Sequence, residues 1–137
     1  MLQGLNWLAI VVAGVFNWLF GWLWFGPLFG SIFRRIVPGA GTVGGLSLAS
    51  FIGLGLSLLV ATGLAFVLKR TGVTTVAGAI LTTLIVCICF NTTVYVAYMS
   101  AGERPHLQLF IAIFDLVSYV LTALVIHWMS RPRAVAA

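Results

Sequence analysis

Residues 16–35 read FNWLFGWLWFGPLFGSIFRR, an aromatic run that meets a Gly-Pro step and ends in two arginines. Indole rings prefer the headgroup boundary of a bilayer, and arginines beside that boundary extend into water. A Gly-Pro step is also a common stop for a helix. We therefore expect a membrane helix to leave the bilayer in this stretch. The expected interfacial anchors are Trp22, Trp24, Arg34 and Arg35.

The same stretch has an alternative interpretation as a contact surface. Trp7, Trp18 and Trp22 fall near one face of a helix, where they would suit a lipid or a partner protein. The stretch alone does not separate the two interpretations, although the interfacial one is the commoner arrangement.

The rest of the chain has the composition of a membrane protein. Apolar residues make up 62% of the 137 residues and charged residues 7%, and the mean hydropathy is +1.19, whereas a soluble domain is roughly 45–50% apolar. Four apolar stretches reach the roughly 20 residues that a helix needs to cross a bilayer. They cover residues 5–25, 46–68, 74–99 and 107–129. We predict an all-α fold with one domain, residues 1–137, built as an integral membrane bundle of four transmembrane helices with short loops.

Two segments near the start resemble a known family. Residues 6–9 read NWLA and residues 23–30 read LWFGPLFG, which is similar to the opening of the bacterial membrane proteins of domain-of-unknown-function family 1761, commonly NWLA and then LWYGPLFG. Phe25 stands where the family usually has tyrosine, and residues 31–35 differ from its usual Trp-containing segment. The resemblance implies a small four-helix protein of the bacterial inner membrane. No activity is established for the family, so the resemblance implies none for this chain.

Basic residues at the helix ends suggest an orientation. With four spans, the two termini and the second turn share one side, which carries four basic residues, while the other side carries three. The positive-inside rule then places both termini in the cytoplasm. A margin of one residue also leaves open dual insertion, with antiparallel copies pairing.

Small residues indicate how the helices pack. Lipid tails are as apolar as leucine, so membrane helices associate through close packing of small side chains. The second span carries such a residue at every fourth position, and the first span has a shorter groove of the same kind. The expected packing residues are Ala49, Gly53, Ser57, Ala61 and Ala65. This pattern predicts a compact bundle or a homo-oligomer.

Polar residues within the spans predict one intramembrane site. Asp115 is the only acid in any predicted span, and such a residue normally faces the bundle interior or water. Asn91 and Asp115 lie twelve residues before and after Glu103, so they should have similar depth. Asn17 is expected at about the same depth, roughly 12 Å from the end of the first span. The three residues would then share one layer of the bundle. The candidate site is Asp115, Asn91, Asn17, Tyr95, Tyr119 and Thr92.

Two roles for Asp115 remain open. In the first, a neutral or hydrogen-bonded carboxyl ties helices together through Asn91, Asn17 or a tyrosine hydroxyl. In the second, the aspartate exchanges a proton or cation while Asn91, Thr92 and Tyr95 coordinate it. The first role is the commoner one.

Motifs for enzyme chemistry are absent from the sequence, which has no phosphate-binding glycine loop, His-Glu-x-x-His helix or nucleophile elbow. His106 and His127 would lie about 31 Å apart on one helix, too far to share a metal. Cys87 and Cys89 would point to different faces of their helix. We expect no enzyme activity, no metal and no cofactor. The pI of about 10.0 reflects interfacial arginines and needs no nucleic-acid partner.

Two functions fit these observations. The favoured one is a structural or accessory component of the lipid bilayer that packs with itself, with another membrane complex or with lipid. The alternative is a small oligomeric transporter or channel for a proton, an ion or a small solute, with Asp115 lining the route. Since four helices are few for enclosing a pathway, the alternative is expected to require oligomerisation.

Overall fold

The computed structural model describes residues 4–39, 48–100 and 105–130, apart from the side chains of residues 98 and 99. All of the regular structure in these ranges is helical, which confirms the predicted all-α fold. The helices are α1 (Trp7–Leu23), continued by a π-helical turn (Trp24–Leu28), then α2 (Gly30–Ile36), α3 (Leu48–Arg70), α4 (Val76–Ser100) and α5 (Pro105–Ser130).

Four of these helices are long and apolar enough to cross a membrane, as the hydropathy predicted. The candidate spans are Trp7–Leu28, Leu48–Arg70, Val76–Ala97 and Pro105–Ser130. Their bounds differ from the predicted ones by at most three residues. The chain is therefore a multi-pass membrane protein by the length and composition of its helices.

Helix α5 lies at the centre of the bundle. It packs against α1, α3 and α4, and α1 also packs along α3. Helix α4 packs mainly on α5 and meets α3 at only a few positions. The bundle is thus a three-helix unit with α4 attached to its outside.

The buried apolar core occupies one end of the bundle. It includes Ile10 near the start of α1, Leu68 near the end of α3 and Ile126 near the end of α5. Alanines between them let the three helices approach closely, as expected where small side chains drive packing in a membrane. The opposite end, where α1 finishes and α3 and α5 begin, is packed in a different way.

Hydrogen bonds at the core end tie the chain's first and last described segments together. The Asn6 side chain caps α1, since its Oδ1 accepts from the backbone N–H of Ala9 at 3.1 Å. Its Nδ2 donates to the backbone carbonyl of Met129 at 3.0 Å. The start of α1 and the end of α5 therefore lie at the same end of the bundle, as an even number of spans requires.

The Gly-Pro step does not end the first helix, in contrast to the expectation from sequence. Gly26 and Pro27 lie inside the π-helical turn, in which the backbone N–H of Phe29 donates to the carbonyl of Trp24 at 2.9 Å. Proline has no N–H for the helical ladder, and a π-helical turn accommodates this break without unwinding the chain. The connection after this turn begins as the short helix α2.

Candidate functional site

A cavity of about 520 Å³ lies between α1, α3 and α5. Its polar lining sits near the middle of the three helices, and aromatic rings line it toward the end where α1 finishes and α3 begins. The lining residues are Asn17, Trp18, Gly21, Trp22, Phe25, Ala49, Ser50, Gly53, Leu56, Ser57, Val60, Phe114, Asp115 and Tyr119. The cavity is thus a cleft that extends from mid-span depth to one end of the bundle.

Asn17 and Ser57 form the polar contact between α1 and α3. The Asn17 Nδ2 donates to the Ser57 Oγ at 3.2 Å, and both residues are buried. The Asn17 Oδ1 is also buried but has no hydrogen-bond partner among the described residues. Because an unsatisfied buried acceptor costs about 1–3 kcal/mol, Asn17 is a poor choice for stability alone.

Asp115 lines the same cavity from α5 and is half-buried. It is the only acid in the described part of the chain. Its carboxylate makes no hydrogen bond or ion pair within the described ranges; Ser118 bonds only to the Asp115 backbone carbonyl. The carboxylate therefore provides an uncompensated negative charge, when ionised, at the wall of the cavity.

Tyr119, one turn beyond Asp115, also lines the cavity. The Asp115 carboxyl, the Tyr119 hydroxyl and the Cys87 thiol of α4 are close enough to interact electrostatically. Cys87 is fully buried but is not among the residues that line the cavity.

The polar residues predicted on α4 do not line the cavity. The Asn91 Nδ2 donates within its own helix, to the carbonyl of Cys87 at 3.1 Å and to its Sγ at 3.2 Å. Thr92 and Tyr95 are exposed. The expected layer therefore converges only in part, since α4 packs on α5 and not on α1.

The tryptophans of the opening stretch occupy two different environments. The Trp18 Nε1 donates to the Ser50 carbonyl at 2.9 Å, and the rings of Trp18 and Trp22 lie 4.6 Å apart on the cavity wall. Trp24, expected at the headgroup boundary, is instead buried, at 8% exposure. Its ring system contacts Phe114 and other phenylalanines at 4.4–6.2 Å between centroids. Trp24 thus packs α1 against α5.

The other predicted anchors, Arg34 and Arg35, lie in the last turn of α2 and are exposed. Phe33 of the same helix stacks near Phe110 of α5, with 6.1 Å between ring centroids. Helix α2 is therefore held against α5 by an aromatic contact while its two arginines remain accessible.

The predicted packing stripe of α3 divides into two parts. Ser57, Ala61 and Ala65 are buried between helices. Gly53 is half-buried and lies opposite Trp18, whereas Ala49 is exposed. The difference arises because Ala49 and Gly53, in the first turns of α3, border the cavity.

Sequence reasoning missed Trp18, Phe25, Ser57 and Phe114 as cavity residues. A signal for Ser57 was present, because it is the one polar residue among the predicted packing residues of the second span. Trp18 directly follows Asn17 in the chain. Nothing in the sequence indicated that Phe114 would turn toward α1.

Comparison with known proteins identifies a family for this chain but no activity. A family model described as a protein of unknown function (DUF1761) matches residues 8–127. No curated protein and no solved structure matches the chain. The matched segment includes the residues on the cavity wall from all three helices.

Proposed function

This chain belongs to the DUF1761 family of proteins of unknown function, and from that premise we propose that it is a small multi-pass carrier that binds its cation at Asp115 in this cavity. It acts in the bacterial inner membrane, with both termini in the cytoplasm, and it performs no enzymatic reaction. The support comes from the position of Asp115 and from the shape of the cavity.

The position of Asp115 on the cavity wall is the observation that carries the proposal. An aspartate near the middle of a membrane costs about 2.5–3.5 kcal/mol on insertion scales, so an intramembrane acid is a functional site by default. A structural role would pair the carboxyl with a donor on a neighbouring helix. No such donor contacts it in the described ranges.

The shape of the cavity also supports transport. Its volume of about 520 Å³ falls within the roughly 300–1,000 Å³ of typical small-molecule sites. The cleft connects Asp115, at mid-span depth, with Trp22 and Phe25 near the end of α1. A cation that enters at this end reaches the carboxylate without unfolding a helix. The cleft lies within one chain, so binding does not depend on a second copy.

The proposal is tested by recording charge movement in proteoliposomes on a solid-supported membrane after concentration jumps of protons, sodium ions or choline. We expect the protein to give a current above that of empty liposomes for at least one of these cations. Replacement of Asp115 by Asn removes the charge and keeps the size of the side chain, so the current should fall by about tenfold or more. A current that persists unchanged in Asp115→Asn would overturn the proposal.

Thr93→Val is the matched control for this experiment. The Thr93 hydroxyl is exposed on α4 and bonds only to the carbonyl of Cys89 in its own helix, at 3.1 Å. Its removal should leave the current unchanged. A loss in both variants would show that the substitutions disturb the fold and not the route, which would also count against the proposed role of Asp115.

A second candidate function is self-association through α4. This helix has one extensive neighbour, α5, and its outward side exposes Thr92 and Tyr95. Polar side chains in hydrocarbon are normally paired with another helix. We propose that a second copy of this chain covers them, so that the protein works as a homo-oligomer.

A further inference from the structure

The cavity wall combines one carboxylate with several aromatic rings, and this combination indicates the class of ligand. We propose that the Asp115 cavity binds an organic cation, such as an amine or a quaternary ammonium or phosphonium ion with apolar substituents. This inference rests on the proposed function, because it names the solute that the same site takes.

The residues that line the cavity indicate the sign of the ligand's charge. Asp115 is the only charged side chain on the cavity wall, and no lysine, arginine or histidine of the described ranges lines it. In a low-dielectric cleft, one fixed charge sets the local potential and attracts a ligand of opposite sign. An anion of the same shape would meet an unscreened carboxylate and be repelled.

The aromatic rings of the cavity wall favour an organic cation over a small inorganic one. Trp18 and Trp22 line the cavity from α1, and Phe114 and Tyr119 line it from α5. A cation placed over the face of an aromatic ring is attracted by the negative charge of that face, and more strongly where water is excluded. Apolar substituents would also be buried against the same rings.

The oxygen donors are too few for a hard metal cation. Calcium takes 6–8 oxygen ligands and magnesium demands a near-octahedral shell. The Asp115 carboxylate is the one anionic donor on the cavity wall. The side-chain oxygens of Asn17, Ser57 and Tyr119 on the same wall are neutral, which is a poor set for a divalent ion. Within the described ranges no group of three or more His, Cys, Asp or Glu residues is arranged to hold a metal.

Two contacts hold the wall in position before a ligand arrives. The indole N–H of Trp18 donates to the carbonyl of Ser50 at 2.9 Å, which fixes the ring against the start of α3. Gly53 faces the same ring, and a Cβ built there would lie 3.7 Å from the Trp18 Cδ1. A methyl group would therefore fit, but a larger side chain at Gly53 would enter the space beside Trp18.

The test uses two ions of the same shape and opposite charge, tetraphenylphosphonium and tetraphenylborate, with the purified full-length protein in detergent. Binding is followed by quenching of tryptophan fluorescence, because Trp18 and Trp22 line the cavity. We expect saturable binding of tetraphenylphosphonium that weakens about tenfold or more in Asp115→Asn. Tetraphenylborate should show no binding that depends on Asp115. Equal binding of both ions, or equal affinity in Asp115→Asn, would overturn the inference.

A second variant keeps the inference testable if Asp115→Asn does not fold. Gly53→Leu retains the carboxylate but fills the space beside Trp18, so it should also abolish saturable binding of tetraphenylphosphonium. Gly55→Leu is the matched control, since no atom lies within 4 Å of a Cβ at Gly55. Retained binding in Gly53→Leu would place the cation elsewhere and overturn the inference.

The result separates the inference from the proposed function. If tetraphenylphosphonium does not bind while proton or sodium currents still require Asp115, the organic-cation inference is overturned and the carrier stands. If neither binding nor an Asp115-dependent current is found, both are overturned. Binding of tetraphenylphosphonium with loss in Asp115→Asn supports the inference directly.

Discussion

Asn17 illustrates what one polar side chain does inside this bundle. Its amide nitrogen joins α1 to α3 through Ser57, while its oxygen is buried without a partner among the described residues. Hydrogen bonds between membrane helices average only about 0.6 kcal/mol, because the reference state also finds partners. The bond therefore sets the rotation of α1 relative to α3 more than it stabilises the fold.

A double-mutant cycle measures this bond. We expect Asn17→Ala and Ser57→Ala to show a coupling free energy of about 0.6 kcal/mol, and at most about 1.7 kcal/mol, in unfolding in mixed micelles. Asn17→Ala combined with Thr83→Val is the control, since Thr83 lies on α4 and bonds to the carbonyl of Ala79. A coupling for Asn17 and Ser57 no larger than that of the control pair would contradict the bond.

At the scale of the elements, two glycines of α1 face the neighbouring helices. At Gly14 it lies so near α3 that a Cβ would come within 2.6 Å of the Leu58 Cδ2 and 3.0 Å of the Leu58 Cα. Seven residues later, a Cβ at Gly21 would lie 3.6 Å from Phe114 of α5, an ordinary contact. The helix thus approaches α3 very closely at Gly14 and meets α5 at an ordinary contact distance at Gly21.

Gly14→Ala should loosen the contact between α1 and α3. The backbone of Leu58 blocks the added methyl group, so the helices must move apart, and overpacking of this kind costs about 1–3 kcal/mol. The measurement is thermal unfolding in detergent. Gly55→Ala and Gly63→Ala are matched controls on α3, since a Cβ at either position meets no atom within 4 Å. A Gly14→Ala protein as stable as these controls would refute the close approach.

At the scale of the whole molecule, the two ends of the bundle are built differently. One end holds the buried apolar core, and the other holds the cavity together with the aromatic contacts of Trp24. Helix α4 contributes Ala79 to the buried core but lines no part of the cavity. The core joins the helices at one end, and the cavity gives room for a ligand toward the other.

The proposed homo-oligomer predicts a specific cross-link. Cys89 is exposed on α4, whereas Cys87 is buried, so mild oxidation of native membranes should join two chains through Cys89 when their α4 helices meet. Cys89→Ser should abolish the dimer band, and Cys87→Ser should leave it unchanged. A monomer in native mass spectrometry, with no cross-link in membranes, would contradict an α4 interface.

Hydropathy and length were enough to predict the fold class and the four spans, because both are properties of a continuous segment that its neighbours do not change. The resemblance of the opening residues was likewise confirmed by the family match over residues 8–127. Depth along a helix is also local, since each residue adds a fixed rise, so residue spacing alone assigns Asn17 and Asp115 to one layer.

Which side of a helix meets which neighbour could not be predicted in this way. A membrane helix is apolar all round, so hydrophobic periodicity says little about which face turns inward. Packing alone placed α5 at the centre and α4 outside, which kept Asn91 off the cavity wall. The same packing buried Trp24 among phenylalanines of α1 and α5, although its position beside a Gly-Pro step is typical of an interfacial residue.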